Sequence, residues 1–311
     1  MRIRCPLALA GLALLWMPLA GHAQSVALGA TARYVAQGLT GIAGATDAGA
    51  VALNPATLSQ LDMSSFTPRG GTWEWPTDEP WRWQMQSTGE LSGELNHFAF
   101  NFALRERKKH EGFGLSFRTL ELAGIPSDNW LLGYGRSVDH QNWSWGLAFG
   151  RLEPEGLLSA FGPRAVQVEG RPFQRETALN GGLLFTYPQP HGAPVKVGVT
   201  AMDLINATGR GPLWGVGVTA PLSPEATLSV DYLDVTDEVF ASLNAGLQAR
   251  VNDNWYLRAG AMNLAANGSG DPLATAGLGY RSPEWWSADL AWMDLPSGLD
   301  DEWGLTVSYT W

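Results

Sequence analysis

The chain has 311 residues and a formal net charge of −10; only 16% of its residues are charged, whereas Gly reaches 37 and Trp 15. This acidity excludes ordinary nucleic-acid binding, which depends on basic surfaces. A charged fraction well below the roughly 25% of soluble domains, combined with abundant Trp, favours a protein whose outer surface partly contacts lipid.

The first 23 residues have the pattern of a secretory signal peptide. A basic start precedes an apolar run at 6–20, and small residues follow, with cleavage expected after Ala23. Cleavage removes two arginines, so the net charge moves from −10 to −12, and it removes Cys5, the only cysteine. We therefore expect an exported chain that lacks disulfides and cysteine-ligated metals.

Residues 24–62 differ in character from the rest of the mature chain. They are rich in Ala and Gly and lack the alternation of a strand, so we expect a plug inside a cavity. Within this segment Asn54 can serve as an N-cap, and Pro55 suits the first helical position. The pattern predicts a short helix at 55–61 and another turn or two at 47–53.

From residue 63 to 311 the sequence predicts short strands separated by turn residues. The last ten residues illustrate the pattern, because aromatic and aliphatic side chains alternate with Gly, Thr and Ser. The predicted strands are 64–72, 95–106, 111–121, 129–138, 141–152, 176–187, 194–204, 211–221, 226–236, 241–251, 255–265, 273–282, 286–295 and 302–311. The Trp-rich stretch 73–94 remains open: it could extend the first hairpin or form a further strand.

Fourteen strands with a small, polar second face predict an all-β fold, a transmembrane antiparallel β-barrel with a short N-terminal helical plug. The second face is too polar for a dry core, so we place the apolar face against lipid. A soluble periplasmic sandwich is the alternative. Short turns, such as 251–254 and 282–284, are expected in the periplasm, and longer loops, such as 152–174, outside.

Several polar side chains fall on the face that this barrel would turn inward. The candidate lumen-lining residues are Arg118, Asp231, Asn244, Gln248, Arg250, Arg258 and Asp289. They could pair with one another or with the plug, which would satisfy buried charge, or hold the polar head of a ligand. Tyr309 and Trp311 form a candidate C-terminal signal for the barrel assembly machinery.

The sequence contains no motif that indicates catalysis or metal binding. The four histidines that survive cleavage are scattered over expected turns, and neither a Gly-x-Ser-x-Gly elbow nor a His-Glu-x-x-His motif occurs. We therefore expect no enzyme activity, no cofactor and no metal site. A basic cluster at 105–109 could contact anionic head groups of outer-membrane lipids, or be a plain solvated turn.

Residues 45–58, which read Ala-Thr-Asp-Ala-Gly-Ala-Val-Ala-Leu-Asn-Pro-Ala-Thr-Leu, resemble the N-terminal signature of the long-chain fatty-acid transporter superfamily, which includes the PorV-like proteins of type IX secretion. The resemblance implies a fourteen-strand outer-membrane barrel that passes hydrophobic molecules and carries an N-terminal plug. By position, it assigns Asp47, Asn54, Pro55 and Ala56 to that plug.

Three functions stay open at this stage. The leading hypothesis is a passive channel of the bacterial outer membrane for a hydrophobic or amphipathic, fatty-acid-like ligand. The alternative is a PorV-like scaffold or shuttle component that anchors secretion-system proteins. The third, a lipid hydrolase of the outer membrane, would need a reactive serine near His97 or His140.

Overall fold

The computed structural model describes most of the chain beyond residue 30. The described residues are 31–61, 81–92, 96–106, 109–122, 125–138, 142–152, 176–189, 193–205, 212–233, 242–264, 272–283, 285–294 and 301–310. The predicted signal peptide lies outside them, and export therefore stays a prediction. Among these residues, no helix is both long and apolar enough to cross a membrane.

Among the described residues, three short helices precede fourteen strands. The helices are α1 (Ala32–Val35), α2 (Ala50–Leu53) and a 3-10 helix (Pro55–Gln60). The strands are β1 (Trp81–Ser92), β2 (Asn96–Glu106), β3 (Glu111–Leu122), β4 (Ile125–Val138), β5 (Trp143–Leu152), β6 (Glu176–Tyr187), β7 (Val195–Met202), β8 (Leu213–Pro221), β9 (Ala226–Leu233), β10 (Ser242–Arg250), β11 (Trp255–Met262), β12 (Leu273–Arg281), β13 (Trp286–Met293) and β14 (Glu302–Thr310).

The strands form one closed antiparallel barrel in which each strand pairs with its neighbours in sequence. Closure comes from β1 and β14, which pair from Gln84 opposite Thr310 to Ser92 opposite Trp303. Closing the sheet leaves no edge strand whose backbone groups would be unpaired in lipid. The predicted fold class, a fourteen-strand antiparallel barrel, is confirmed.

The positions of thirteen predicted strands agree with β2 to β14 to within a few residues. The first strand was placed wrongly: the wall strand that precedes β2 is Trp81–Ser92, in the stretch left open, and 64–72 lies outside the described residues. The alternation of side chains is harder to recognise in the sequence of β1. Its buried, inward side chains are Gln84, Gln86 and Thr88, rather than the glycines and alanines found elsewhere.

Side chains alternate in exposure along the strands, as the period of two requires. The outward set is exposed although it is apolar, which is the surface expected of a barrel wall in hydrocarbon. Examples are Phe98, Leu132, Phe149, Leu257 and Tyr309, all at least 43% exposed. The inward set is buried and contains most of the polar strand residues.

The two ends of the barrel differ. We call the end at which β1 begins and β14 ends the proximal end, and the other the distal end. The proximal connections are short, except for that between β6 and β7, and several distal ones are longer. However, only three residues separate β1 from β2 at the distal end, and only two separate β3 from β4. These four strands are longer than β7 to β13.

Aromatic rings cluster on the outer surface near the proximal end. The rings of Trp255 and Trp286 lie 4.9 and 5.2 Å from that of Tyr280. Near the start of β5, the Tyr134 ring lies 5.6 Å from that of Trp145. Amphipathic rings at one level of the wall mark a membrane–water interface.

Candidate functional site

Residues 31–61 lie inside the barrel, where almost all of their side chains are buried. We call this segment the plug. It follows the inner wall: α1 contacts β12 to β14, α2 contacts β3 and β4, and the 3-10 helix contacts β2 to β6. The lumen is therefore filled by a separate stretch of chain rather than by wall side chains alone.

On one side the plug packs directly against glycines. A Cβ atom at Gly112 would overlap the Leu58 carbonyl, and one at Gly135 or Gly146 would overlap the backbone of Pro55. We call this surface the glycine face; its members are Gly112, Gly114, Gly133, Gly135, Gly146 and Gly182, on β3 to β6. Only glycine permits such close backbone approach.

Asn54 holds the plug together at this face. Its Oδ1 accepts a hydrogen bond from the Ala56 N–H at 3.0 Å and caps the 3-10 helix, which begins at Pro55. Its Nδ2 donates to the carbonyl of Ile42 at 2.7 Å and to the wall carbonyl of Leu183 at 3.2 Å. One fully buried amide thus joins two parts of the plug to β6.

On the opposite side, polar wall side chains bind backbone N–H groups of the plug. Gln84 accepts from Ala48 at 2.8 Å, and Thr306 accepts from Ala32 at 2.7 Å. We call this surface the polar face. Its members, on β1, β12 and β14, are Thr88 and Ser308, which bond to Thr306 and Gln86, and the four acceptors of plug N–H groups, Gln84, Gln86, Thr275 and Thr306. These oxygens satisfy donors that short helices leave unpaired.

Asp231 on β9 anchors the turn between the two sides. Its Oδ2 accepts from the N–H of Gly41 at 2.7 Å and from that of Ile42 at 2.9 Å. Its Oδ1 is buried without a hydrogen-bond partner among the described residues. Paired N–H groups stabilise a buried carboxylate that would otherwise lose its hydration.

A small polar pocket lies between the plug and the polar face, near the proximal end. It contains two ion pairs: Arg258 and Asp289 are 2.6 Å apart, and Arg33 and Asp47 are 3.9 Å apart. The cavity volume is about 30 Å³, which is room for roughly two water molecules. Arg281 also lines the pocket, so three arginines and two aspartates face it, and each aspartate is paired with an arginine.

A single buried apolar cluster crosses the lumen from wall to wall. It joins the plug side chains of Tyr34, Val51 and Leu58 to Leu131 on β4 and, on the other side of the barrel, to residues of β11 to β13. Those residues are Met262, Leu273 and Met293, which lie at the distal ends of their strands. The distal part of the lumen is therefore apolar on this side, although the inner wall is mostly polar.

The predicted site residues fall into three groups. Arg118, Asp231, Asn244, Arg258 and Asp289 are buried and face inward, and Gln248 is half-buried and accepts from the Gln37 amide at 3.0 Å. Arg250 shares their face but is exposed at the proximal end of β10. The structure brings together Gln248, Arg258 and Asp289, since Arg258 Nε donates to Gln248 at 3.0 Å.

The remaining predicted residues lie apart from that group. Asp47, Asn54, Pro55 and Ala56 are buried in the plug. Tyr309 faces outward and is 51% exposed, while Trp311 lies outside the described residues.

Sequence reasoning missed Met262, Leu273, Met293, Gln84 and Gln86. The methionines follow a repeated signal, since Ala-Met-Asp-Leu, Ala-Met-Asn-Leu and Trp-Met-Asp-Leu occur at 201–204, 261–264 and 292–295. The glutamines lie in the stretch for which no strand was assigned.

The described residues contain no group of His, Cys, Asp and Glu side chains that could hold a metal ion. His110 lies in the β2–β3 turn; burial lowers its pKa, and the neighbouring Arg105 lowers it further. His140 and His191 lie outside the described residues, and so does the side chain of His97.

Comparison with known proteins links the chain to other barrels through structure alone. No protein-family model matches it, and no match is found among curated proteins. The structure is similar to that of the CymD monoaromatic hydrocarbon channel, with 16% sequence identity and a TM-score of 0.55 over 92% of this chain and 98% of that chain. It is similar to the Pseudomonas putida toluene transporter TodX, with 13% identity and a TM-score of 0.54 over 93% and 99%. These identities show a shared fold.

Proposed function

We propose that this protein is a passive channel of the bacterial outer membrane for small hydrophobic molecules, and that it belongs to the long-chain fatty-acid transporter superfamily. The observation that carries the proposal is the apolar cluster across the lumen, in which Val51 and Leu58 of the plug meet Leu131 and Met262. A water-filled pore would expose such side chains to solvent, whereas a passage for apolar molecules requires them.

The plug has a physical purpose in this proposal. Barrels of sixteen to eighteen strands enclose an aqueous channel, whereas eight strands leave an interior that side chains can fill. Fourteen strands lie between these sizes, so an unplugged lumen would leak ions. The glycine face and the polar face hold the plug in place by different means, so that it fills the lumen.

The shared fold supports the ligand class. CymD and TodX are a monoaromatic hydrocarbon channel and a toluene transporter, so we propose compact apolar molecules as ligands. Because short turns are typical of the periplasmic side of such barrels, we also propose that the proximal end lies in the periplasm. Three expectations stay predictions: a fatty-acid-like amphipathic ligand, contact with outer-membrane lipids, and recognition of Tyr309 and Trp311 by the assembly machinery.

Uptake by whole cells tests the transport function. Cells that lack their own hydrocarbon channels should take up radiolabelled toluene faster when they produce this protein, and a hydrophilic sugar should show no such gain. Equal uptake of toluene with and without the protein would contradict the proposal.

Deletion of residues 26–61 tests the plug. The shortened protein should show a higher ion conductance in planar bilayers than the full chain, because the lumen loses the segment that fills it. Unchanged conductance would remove the plug from the proposed mechanism.

The two other functions remain open to direct tests. A stoichiometric partner that copurifies with the barrel, without toluene uptake, would favour the secretion scaffold. Covalent labelling of the protein by a fluorophosphonate would favour the lipid hydrolase and contradict a channel with no chemical step.

A further inference from the structure

Three methionines face the lumen at its distal end. Met202, Met262 and Met293 are the last residues of β7, β11 and β13, and each is at most 8% exposed. Met262 and Met293 belong to the apolar cluster that crosses the lumen, and Leu213, which lies opposite Met202 on β8, packs against that cluster. The last inward position of each of these three strands is therefore filled by a long, unbranched side chain.

The backbone beside Met202 is fixed by a turn. The next residue, Asp203, has a φ of 57°, and its N–H donates to Asn180 Oδ1 on β6 at 3.0 Å. Leu204 then donates its N–H to the carbonyl of Leu179 at 2.7 Å. Asp is one of the few residues other than glycine that readily adopt this left-handed conformation, so the strand ends in a defined geometry.

The same construction occurs beside Met262. Asn263 also has a φ of 57°, and its N–H donates to Asn244 Oδ1 on β10 at 3.1 Å. Leu264 donates its N–H to the carbonyl of Leu243 at 2.8 Å. These bonds hold the main chain next to the methionine and involve none of its side-chain atoms.

Methionine has two properties that suit a passage for apolar molecules. Its three rotatable bonds let the side chain change shape without movement of the backbone, and its polarizable sulfur makes favourable contacts with aromatic rings. Leucine has a similar volume but no sulfur. The described part of the apolar cluster already contains one aromatic ring, the buried side chain of Tyr34.

We propose that Met202, Met262 and Met293 contact the ligand directly and make the passage selective for aromatic over saturated hydrocarbons. This inference rests on the proposed transport function and adds the residues that determine selectivity. The methionine side chains change rotamer as the ligand enters and place their sulfur atoms against its ring. The turns at Asp203 and Asn263 keep the wall in place during this change.

Uptake of two matched ligands tests the selectivity. Toluene and methylcyclohexane have the same carbon skeleton, but only toluene has an aromatic ring. After uptake by cells without the protein is subtracted, cells that produce it should take up toluene faster than methylcyclohexane. The triple variant Met202→Leu, Met262→Leu and Met293→Leu should lower the ratio of the two rates roughly threefold, because the sulfur–aromatic contacts are lost.

Met85 provides the matched control for these substitutions. It lies on β1 between the buried, inward residues Gln84 and Gln86, so its side chain faces outward. Met85→Leu should leave the ratio unchanged. Heat-modifiable migration on gels verifies that the variants form the barrel. A triple variant with the ratio of the native protein would overturn the proposed selectivity.

Magnetic resonance of the purified protein in detergent tests the contact without transport. The methionine methyl groups are labelled with carbon-13, and each signal is assigned from its Leu variant. Toluene should shift the signals of Met202, Met262 and Met293 saturably through its ring current, whereas methylcyclohexane, which has no ring current, should not. The signal of Met85, which faces detergent, should shift without saturation.

The outcomes separate the two proposals. If cells gain no toluene uptake but the three inward signals shift saturably, the transport function is wrong and the methionine contact stands. If uptake occurs but these signals do not shift saturably, the methionine contact is wrong and the transport function stands. Absence of both effects overturns both proposals.

Discussion

The glycine face and the polar face hold the same plug in opposite ways. At the glycine face, backbone packs against backbone, and the side chains of Leu58 and Asn54 fill what remains. At the polar face, long amides and hydroxyls bind single N–H groups and leave a cavity of about 30 Å³. Close packing tolerates no added volume, whereas individual hydrogen bonds can break one at a time. The difference identifies the side on which the plug can yield.

The largest effect is expected from filling the glycine face. Gly135→Leu would force its side chain into the carbonyl of Pro55, and overpacking of this kind costs about 3 kcal/mol. Hydrogen exchange measured by mass spectrometry should show faster exchange throughout 31–61. Gly89→Leu, which places the same side chain on the outward face of β1 opposite Leu305, is the control. Equal effects of the two variants would show that packing against the plug is not the cause.

Asp231 tests the anchor between the faces. Asp231→Ala would leave the N–H groups of Gly41 and Ile42 buried without an acceptor, at a cost of about 2 kcal/mol. Exchange at these two amides should accelerate, while exchange in the 3-10 helix should not. Asp231→Asn keeps one acceptor oxygen, so its exchange rate should lie between those of the native protein and the Ala variant. An Ala variant that exchanges like the native protein would show that other contacts hold the turn.

Asn54 tests whether the glycine face needs its hydrogen bonds as well as its packing. Asn54→Ala removes the cap of the 3-10 helix and the bonds to Ile42 and Leu183, and should destabilise the plug by about 1.5 kcal/mol. Asn54→Ser retains a capping oxygen and should recover part of that loss. If Asn54→Ala keeps the full protection of the plug amides from hydrogen exchange, packing alone accounts for the stability of this face.

The smallest effect on stability is expected at the polar face. Thr306→Val preserves shape but removes the acceptor of the Ala32 N–H, at a cost of about 1 kcal/mol. Faster exchange should be confined to α1, because the glycine face does not depend on this bond. Thr306→Ser restores the hydroxyl and should restore protection; faster exchange that spreads to the 3-10 helix would mean that the plug opens as one body.

Much of the wall could be predicted because each strand carries its own signal. In β14, Trp303, Leu305 and Tyr309 alternate with Thr306 and Ser308, and the period of two fixes the strand and its two faces. The Asn-Pro pair likewise marks the start of the 3-10 helix. The first strand was misplaced because β1 has amides inside and a run of Ser, Thr and Gly near its distal end, which blurs the alternation.

The candidate site could be predicted only in part. Inward charges such as Asp231 and Arg258 follow from strand parity, but their partners do not. Asp231 binds Gly41 and Ile42, which are far from it in sequence, and Arg258 binds Asp289 on a strand that is not its neighbour. Long-range pairings of this kind depend on how the plug is placed in the lumen.

The sequence by itself determined the local properties of this protein: the strands, which of their faces is apolar, and a helical Ala- and Gly-rich segment ahead of them. These follow from backbone geometry and side-chain alternation, which act within a few residues. Only the tertiary structure decided which stretches of the plug lie directly against wall glycines and which are bound by wall amides and hydroxyls. Those features depend on the distance between opposite walls, which exists only once the barrel has closed.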